Sequence, residues 1–446
     1  MSYDEALLPD GRPREASAAA LAAVAEKDPA RLQAAVRDRL EQAGVLFVAE
    51  DGGSAPLDPV PRVLTAEEWH DVKVGLAQRV KALNAFVADA YGARSIVKAG
   101  IVPARVIDTA EHYEPGMQGV TPPGGQWIGV AGLDVVRDAE GEFRVLEDNL
   151  MTPSGYSYAV AAREAVLPEL EPLEAGRPRP FDELPALLGG AVHAAAPEPG
   201  GAAIVLTDGP ENGAYWEHAW AANALGLPLV EPGDLRVEGD VLYHGVRDVA
   251  VVYRRTNADM LDSPVGALLD RPLRAGTLGV VNAFGTGVGD DKLTHAYVED
   301  IVRYYLGEEP AIRSVPTYDL ARPDHLEQAL DIFADLVVKP RAGYGGIGVM
   351  ICPHAEPADV EAMRERVRES PRDWVAQPLV HLSTHPTLID GRLSPRHVDL
   401  RPFVFMHGAD HPRVLPGGLT RFAVDEGALV VNSTQNGGFK DTWVLA

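Results

Sequence analysis

Gly132-Leu-Asp-Val-Val-Arg-Asp-Ala-Glu-Gly-Glu-Phe-Arg-Val-Leu-Glu-Asp-Asn149 has the pattern of a β-hairpin. An apolar run leads into a polar turn at Asp138 to Gly141, and a second strand runs from Phe143 to Leu146. That strand ends in a cluster of oxygen-bearing side chains, Glu147, Asp148 and Asn149. Alternate residues of a strand share a face, so Glu147 and Asn149 project together while Asp148 points away. If the two strands pair, Asp134 lies across from them. Two carboxylates and an amide oxygen form a hard-oxygen set suited to Mg²⁺, which also takes substrate phosphate oxygens. Taken alone, the same residues read equally well as an acidic strand end facing solvent. The rest of the chain has to decide.

At 446 residues the chain exceeds one ordinary core and predicts two or three domains. An apolar content of 46% is that of a globular protein with sizeable cores. The net charge of −25 argues against a nucleic-acid partner, because a phosphate backbone needs a basic face. A local basic pocket is compatible with that acidic exterior. One cysteine, Cys352, excludes an internal disulfide framework, fits a reducing compartment and reads as core. Met1 to Arg14 lacks the apolar centre of a secretory leader, and no apolar stretch is long enough to span a bilayer. The expected location is the cytoplasm, without a membrane partner.

Upstream of the hairpin, residues 1–100 read as mostly helical scaffold. Ala16 to Ala25 and Arg31 to Ala43 have helical spacing, and Leu46 to Ala49 predicts a short strand. Thr65-Ala-Glu-Glu68 resembles a capping box that opens a helix through Trp69 to Ala90. Downstream, residues 200–320 alternate strand and helix. Ala203 to Leu206 and Val249 to Tyr253 are buried strands, and Tyr215 to Leu225 is a helix between them. This alternation predicts a parallel α/β layer with Arg254, Arg255 and Asn282 at the carboxyl ends of its strands.

In the last third, Asp335 to Lys339, a loop Arg341-Ala-Gly-Tyr-Gly-Gly-Ile-Gly348, and Ile347 to Cys352 form strand, glycine loop, strand. A P-loop or dinucleotide fold needs a helix after its glycines. β-Branched residues follow here instead, which suits a flexible hairpin closing over phosphates. Such a loop alone is a weak signal, and Lys339 beside it strengthens it by offering a cation to phosphate charge. Trp374 to Val380 reads as an adenine-binding strand edge, and Val398 to Phe405 as a strand with Asp399 and Arg401 on one face. A turn at Gly417-Gly418 is expected before the strand Leu419 to Val424, and another strand at Leu429 to Asn432. His381, His385 and His397 fit no zinc spacing and read as structural.

Together these pieces resemble an ATP-grasp ligase whose metal hairpin has moved ahead of its nucleotide-binding segment. The resemblance is to the circularly permuted type 2 ATP-grasp family, related by fold to glutathione and glutathionylspermidine synthetases. It is carried by Leu146-Glu-Asp-Asn-Leu-x-x-Pro-Ser-Gly155 and Gly438-x-Lys-Asp-Thr-Trp443, and extends over most of the chain after residue 100. The family commonly has arginine where this chain has Met151, and glycine at Asn436.

The resemblance implies an α/β (α+β) fold divided as a helical region (1–100), a metal-hairpin segment (101–170), a pre-ATP-grasp-like α/β domain (200–320) and a nucleotide-binding segment (321–446). It also implies roles. Asp134, Glu147 and Asn149 would hold Mg²⁺. Lys292 and Lys339 would hold ATP phosphates under a lid of Gly343, Tyr344, Gly345 and Gly346. Gln377 would meet adenine, and Asp399 would lie close to the nucleotide. Arg401 and Arg421 would face the transferring phosphate and acyl group, with Asn432 and Lys440 as further contacts. The implied partners are a small-molecule or peptide carboxylate and an amine. A nucleotide-binding sensor or assembly module without turnover is the alternative. A kinase reading lacks a catalytic-loop base.

Overall fold

In the computed structural model, the residues described are all but 1, 46–54, 174–175, 199, 258–259, 344–346, 429–430 and 432–436. The quoted stretch is a hairpin of Val130–Arg137 and Phe143–Asn149, and Asp134 pairs directly with Glu147 and Gly132 with Asn149. It lies inside an eight-stranded sheet. In spatial order the strands are Leu57–Leu64, Gly437–Val444, Pro412–Ala423, Arg392–Met406, Val130–Arg137, Phe143–Asn149 and Arg313–Ser314. Thr384–Ile389 pairs additionally with Arg392–Met406. Segments from the start, middle and end of the chain therefore interleave in one layer.

The strand Leu57–Leu64 is an addition to the mostly helical N-terminal region expected from sequence. Its two prolines, Pro59 and Pro61, hid it. Proline is tolerated in an edge strand, and this strand is the edge, running parallel to Gly437–Val444. The strand expected at Leu46 to Ala49 lies outside the described residues. The expected turn at Gly417-Gly418 is not one, because strand Pro412–Ala423 runs through it. The glycines serve close approach instead. A Cβ on Gly418 would stand 2.4 Å from the Arg401 carbonyl oxygen, and Gly417 has φ +128°.

Helix Ala66–Ala90 opens with the expected capping box. The Glu68 amide donates to Thr65 Oγ1 at 3.1 Å, and the Thr65 amide donates to the Glu68 carboxylate at 2.9 Å. Its buried stripe of Trp69, Val72, Leu76, Val80, Leu83, Phe86 and Val87 belongs to the largest core. Arg79 sits on that stripe and reaches under the hairpin.

A second sheet carries the α/β region. Leu229–Val230, Ala202–Thr207, Arg247–Arg255 and Gly279–Val281 are parallel, as the alternation predicts. Val241–His244 and Leu235–Glu238 extend it antiparallel. Asn282, just past the last parallel strand, is turned inward. It accepts from the Gly129 and Val130 amides at 2.7 and 2.8 Å and ties this sheet to the hairpin.

The third sheet is small, in the order Tyr318–Asp319, Trp374–Pro378, Leu336–Pro340 and Met350–Ile351. The strands on either side of the glycine loop are antiparallel partners, with Val337 opposite Ile351. Leu320, Phe333, Leu336, Val338, Val367 and Ala376 give it a core of its own. Cys352 is buried there as expected, on a short 3₁₀ turn rather than a strand. Among the described residues, no helix is long and apolar enough to cross a membrane.

Candidate active site

The hairpin of the large sheet and the strands of the small sheet face one another across a narrow cleft. Glu147 and Lys339 meet there at 3.6 Å, one from each sheet. Lys292, His295, Gln377 and Val375 line the same cleft. Lys339 is almost fully buried, and burial pushes its pKa below the usual lysine range, with Glu147 pulling it back up and Lys292 pushing it further down. Lys292 donates to the Gly343 carbonyl at the start of the glycine loop, whose amide donates to Glu111 at 2.9 Å. The Gln377 side chain donates to Thr317 Oγ1 at 2.9 Å.

Directly opposed residues in a sheet share a face, so the pairings Asp134–Glu147 and Asp399–Arg421 fix which side chains meet. Arg401 forks onto Asp134, with Nε to Oδ1 at 2.7 Å and Nη2 to Oδ2 at 2.9 Å. Arg421 forks onto Asp399 and also reaches Asp134 Oδ2 at 3.0 Å. Against burial, the two guanidinium groups hold the Asp134 carboxyl down at about 2. Asp399 shares one arginine and feels the Asp134 charge, so burial leaves its pKa raised. Two lysines, Lys292 and Lys339, stand in this cleft beside Glu147, and the carboxylates of Asp148 and Asp290 line it as well.

Asp134, Glu147 and Asn149 form one row on the cleft face. A carboxylate offers about four acceptor positions, and the three arginine contacts to Asp134 leave one on Oδ1. Glu147 is half-buried and held loosely, and the buried Asn149 Nδ2 has no partner among the described residues. Which end of that amide is oxygen is set by its partner. The row fits a hard cation held mainly by Glu147 and Asn149, with Asp134 completing it through one oxygen.

Two expectations need correction or fall outside the structure. Lys440 does not join the cleft. It pairs with Thr420 in register and so lies on the face opposite Arg421. There it is wholly buried against the Asp58 carboxylate and the Pro386 carbonyl, the latter at 3.0 Å, and reads as structural. Tyr344, Gly345, Gly346 and Asn432 lie outside the described residues.

The structure adds residues that the sequence reading passed over. Asp148 is buried and takes both forks of Arg79 at 2.6 and 2.7 Å. His295 Nδ1 stands 3.0 Å from the same carboxylate. The available signal was a lone arginine on the apolar stripe of helix Ala66–Ala90. Arg341 clasps Asp291 at 2.8 Å and holds the base of the glycine loop to the helical side of the cleft. Arg255 donates to Glu217 at 3.0 Å and to the Pro153 carbonyl at 2.8 Å, fixing the turn after the hairpin.

These buried ionisable groups predict a two-stage loss of stability in acid. Burial depresses His385 to about 4 and His218 to about 3. A depressed folded pKa adds stability above the unfolded value and loses it as pH falls, so the first loss begins below about 6.5. Glu5, held at about 2 by Arg62 and Arg137, and Asp134 lose theirs below about 4.5. Thermal midpoints at pH 7, 5 and 3 should fall at both steps. A midpoint constant down to pH 4 would contradict the buried histidines.

A cleft between two sheets, with acidic side chains on one and a glycine loop with its lysine on the other, is the architecture of a nucleotide-grasping fold. The comparisons specify it. A family model described as "Circularly permuted ATP-grasp type 2" matches residues 61–423. A Frankia casuarinae protein provisionally named glutamate–cysteine ligase 2-2 is 47% identical over 424 residues, covering 90% of this chain and 48% of that one. The chain thus spans about half the length of that relative. An uncharacterized Mycobacterium tuberculosis protein is 41% identical, covering 100% of this chain and 84% of its own. A glutathione synthetase-like effector of Globodera pallida, solved in its apo form, superposes with a TM-score of 0.64 at 11% identity, over 94% of this chain and 98% of its own, a likeness of fold. The chain belongs to the circularly permuted ATP-grasp type 2 family.

Proposed function

We propose that the protein is an ATP- and Mg²⁺-dependent carboxylate–amine ligase acting through an acyl phosphate. The observation that carries this is the meeting of Glu147 and Lys339 at 3.6 Å across the two sheets. It puts a candidate metal row and a candidate phosphate cation in one cleft. A carboxylate does not react with an amine at neutral pH until its oxygen becomes a leaving group. Attack of the carboxylate on the γ-phosphorus gives ADP and an acyl phosphate, and the amine then displaces phosphate. Such transfer needs alignment and charge neutralisation more than covalent help. Bound Mg²⁺ would supply part of that neutralisation, held by Glu147 and Asn149 with Asp134. Lys339 and Lys292 would hold phosphate oxygens, and Arg401 and Arg421 would orient the acyl end. The glycine loop would keep water from the acyl phosphate.

The Frankia relative's name makes glutamate and cysteine the first carboxylate and amine to try. The test is ADP release from ATP with candidate carboxylates, with and without an amine. Release that needs both supports the ligase. Nucleotide binding without ADP formation under any pairing would favour the second reading, a sensor or assembly module. The arginine contacts on Asp134, a fork from Arg401 and a single contact from Arg421, are the feature that favours that alternative.

A further inference from the structure

Of the three residues in the candidate metal row, Asn149 has the least to aim it. Asp134 is held by two arginines and Glu147 stands near Lys339. The Asn149 side-chain nitrogen makes no hydrogen bond among the described residues, and the residue paired with it, Gly132, has no side chain. Its direction therefore depends chiefly on the backbone on either side of it. The peptide that follows Asn149 is held from outside the hairpin. The Leu150 amide donates to Asp290 Oδ1 at 2.8 Å, and the Met151 amide to Asp290 Oδ2 at 3.2 Å. The Leu150 carbonyl accepts from Asn282 Nδ2 at 2.5 Å, and the same nitrogen reaches the Val130 carbonyl on the partner strand at 2.6 Å. Asp290 ends the short helical turn Gly287–Asp290. Its neighbour Gly289 admits the buried Leu150 side chain, since a Cβ there would stand 2.6 Å from Leu150 Cδ1. Two side chains of the α/β region thus close the open end of the hairpin, one residue beyond the metal row.

We propose that Asp290 is a positioning residue for the metal row: by holding the Asn149–Leu150 peptide it sets where the Asn149 amide stands relative to Glu147. The N–H that Asp290 accepts at 2.8 Å belongs to that peptide, so the contact fixes the rotation of the backbone directly after Asn149. Asp290 also lines the cleft beside Glu147 and Lys292, which places its carboxylate at the row rather than behind it. Outer contacts that orient metal ligands typically carry about 10- to 100-fold of a site's affinity. This inference rests on the metal reading given above and adds to it a residue from another part of the chain.

Mn²⁺ titration of the full chain, followed by electron paramagnetic resonance with a non-hydrolysable ATP analogue present, tests it without turnover. Asp290→Ala should weaken Mn²⁺ binding about 10-fold or more. Asp290→Asn keeps an oxygen for the Leu150 amide but sets its own NH₂ against the Met151 amide, and should bind Mn²⁺ more tightly than Asp290→Ala. In an Asn149→Ala background, where the analogue's phosphates still hold the ion, Asp290→Ala should cost nothing further, because the side chain it acts through is gone. Should Asp290→Ala not fold, Asp290→Asn in both backgrounds carries the same comparison with a smaller loss. Unchanged Mn²⁺ affinity in the Asp290 variants would overturn the proposal. So would an equal loss with Asn149 present and absent, which would make Asp290 a direct ligand or a purely structural carboxylate. If the parent holds Mn²⁺ no more tightly than the free analogue does, the metal reading itself falls and the proposal with it, an outcome distinct from these.

Discussion

Replacing Glu147 with glutamine should lower ADP formation by about 100-fold or more, with the thermal midpoint close to that of the parent. The two effects separate for a physical reason. The Glu147 side chain is 38% exposed, and its one ionic contact among the described residues, to Lys339, is a loose 3.6 Å. Little folding energy resides in it. Its value lies in a negative charge on the cleft face, beside Asn149 and across from Asp134, and glutamine keeps the shape while removing that charge. A steady-state assay of ADP release beside a melting curve reads both quantities. Turnover at the parental rate would remove Glu147 from the metal row.

Arg421→Met should act on stability as well as activity. The guanidinium lies buried between Asp399 and Asp134 and serves both. Without it, Asp399 loses its fork and two carboxylates face each other with Arg401 alone near them. Removing one partner from a buried ion pair costs about 3–5 kcal/mol. The loss should show as an earlier urea midpoint and as abolished ADP release. Arg421→Lys should recover little, since an ammonium cannot fork onto one carboxylate while reaching a second. Parental stability in Arg421→Met would show that the carboxylates find another partner or become neutral.

The parts of this fold that could be read from sequence are those where local pattern and tertiary placement agree. The hairpin is one: its alternation separates Asp148 from Glu147 and Asn149, and the pairing of its two strands sets Asp134 opposite Glu147, as the register shows. The capping box at Thr65 is another, since it depends only on neighbouring residues. The strand Leu57–Leu64 was illegible because its prolines argue against a strand and only its edge position excuses them. Gly417-Gly418 misled for the converse reason. Paired glycines signal a turn, yet here they admit the neighbouring strand's backbone. In the candidate site, residue types were legible and partners were not. Lys440 looks like an anion-binding lysine, and only the pairing of its strand reveals that it points at Asp58. Nothing near Asp134 in the sequence announces that Arg401 and Arg421 will converge on it from two other strands.

The adjacency of Leu57–Leu64 and Gly437–Val444 bears on how the chain matures. While a ribosome is still adding the later of these two segments, the earlier one has no neighbour to zip against, and Pro412–Ala423 keeps a bare edge. Vectorial synthesis can finish the helices and the α/β layer early, but the eight-stranded layer must wait for closure across almost the whole polypeptide. Contacts so remote in sequence form slowly and leave strand edges open to wrong partners meanwhile.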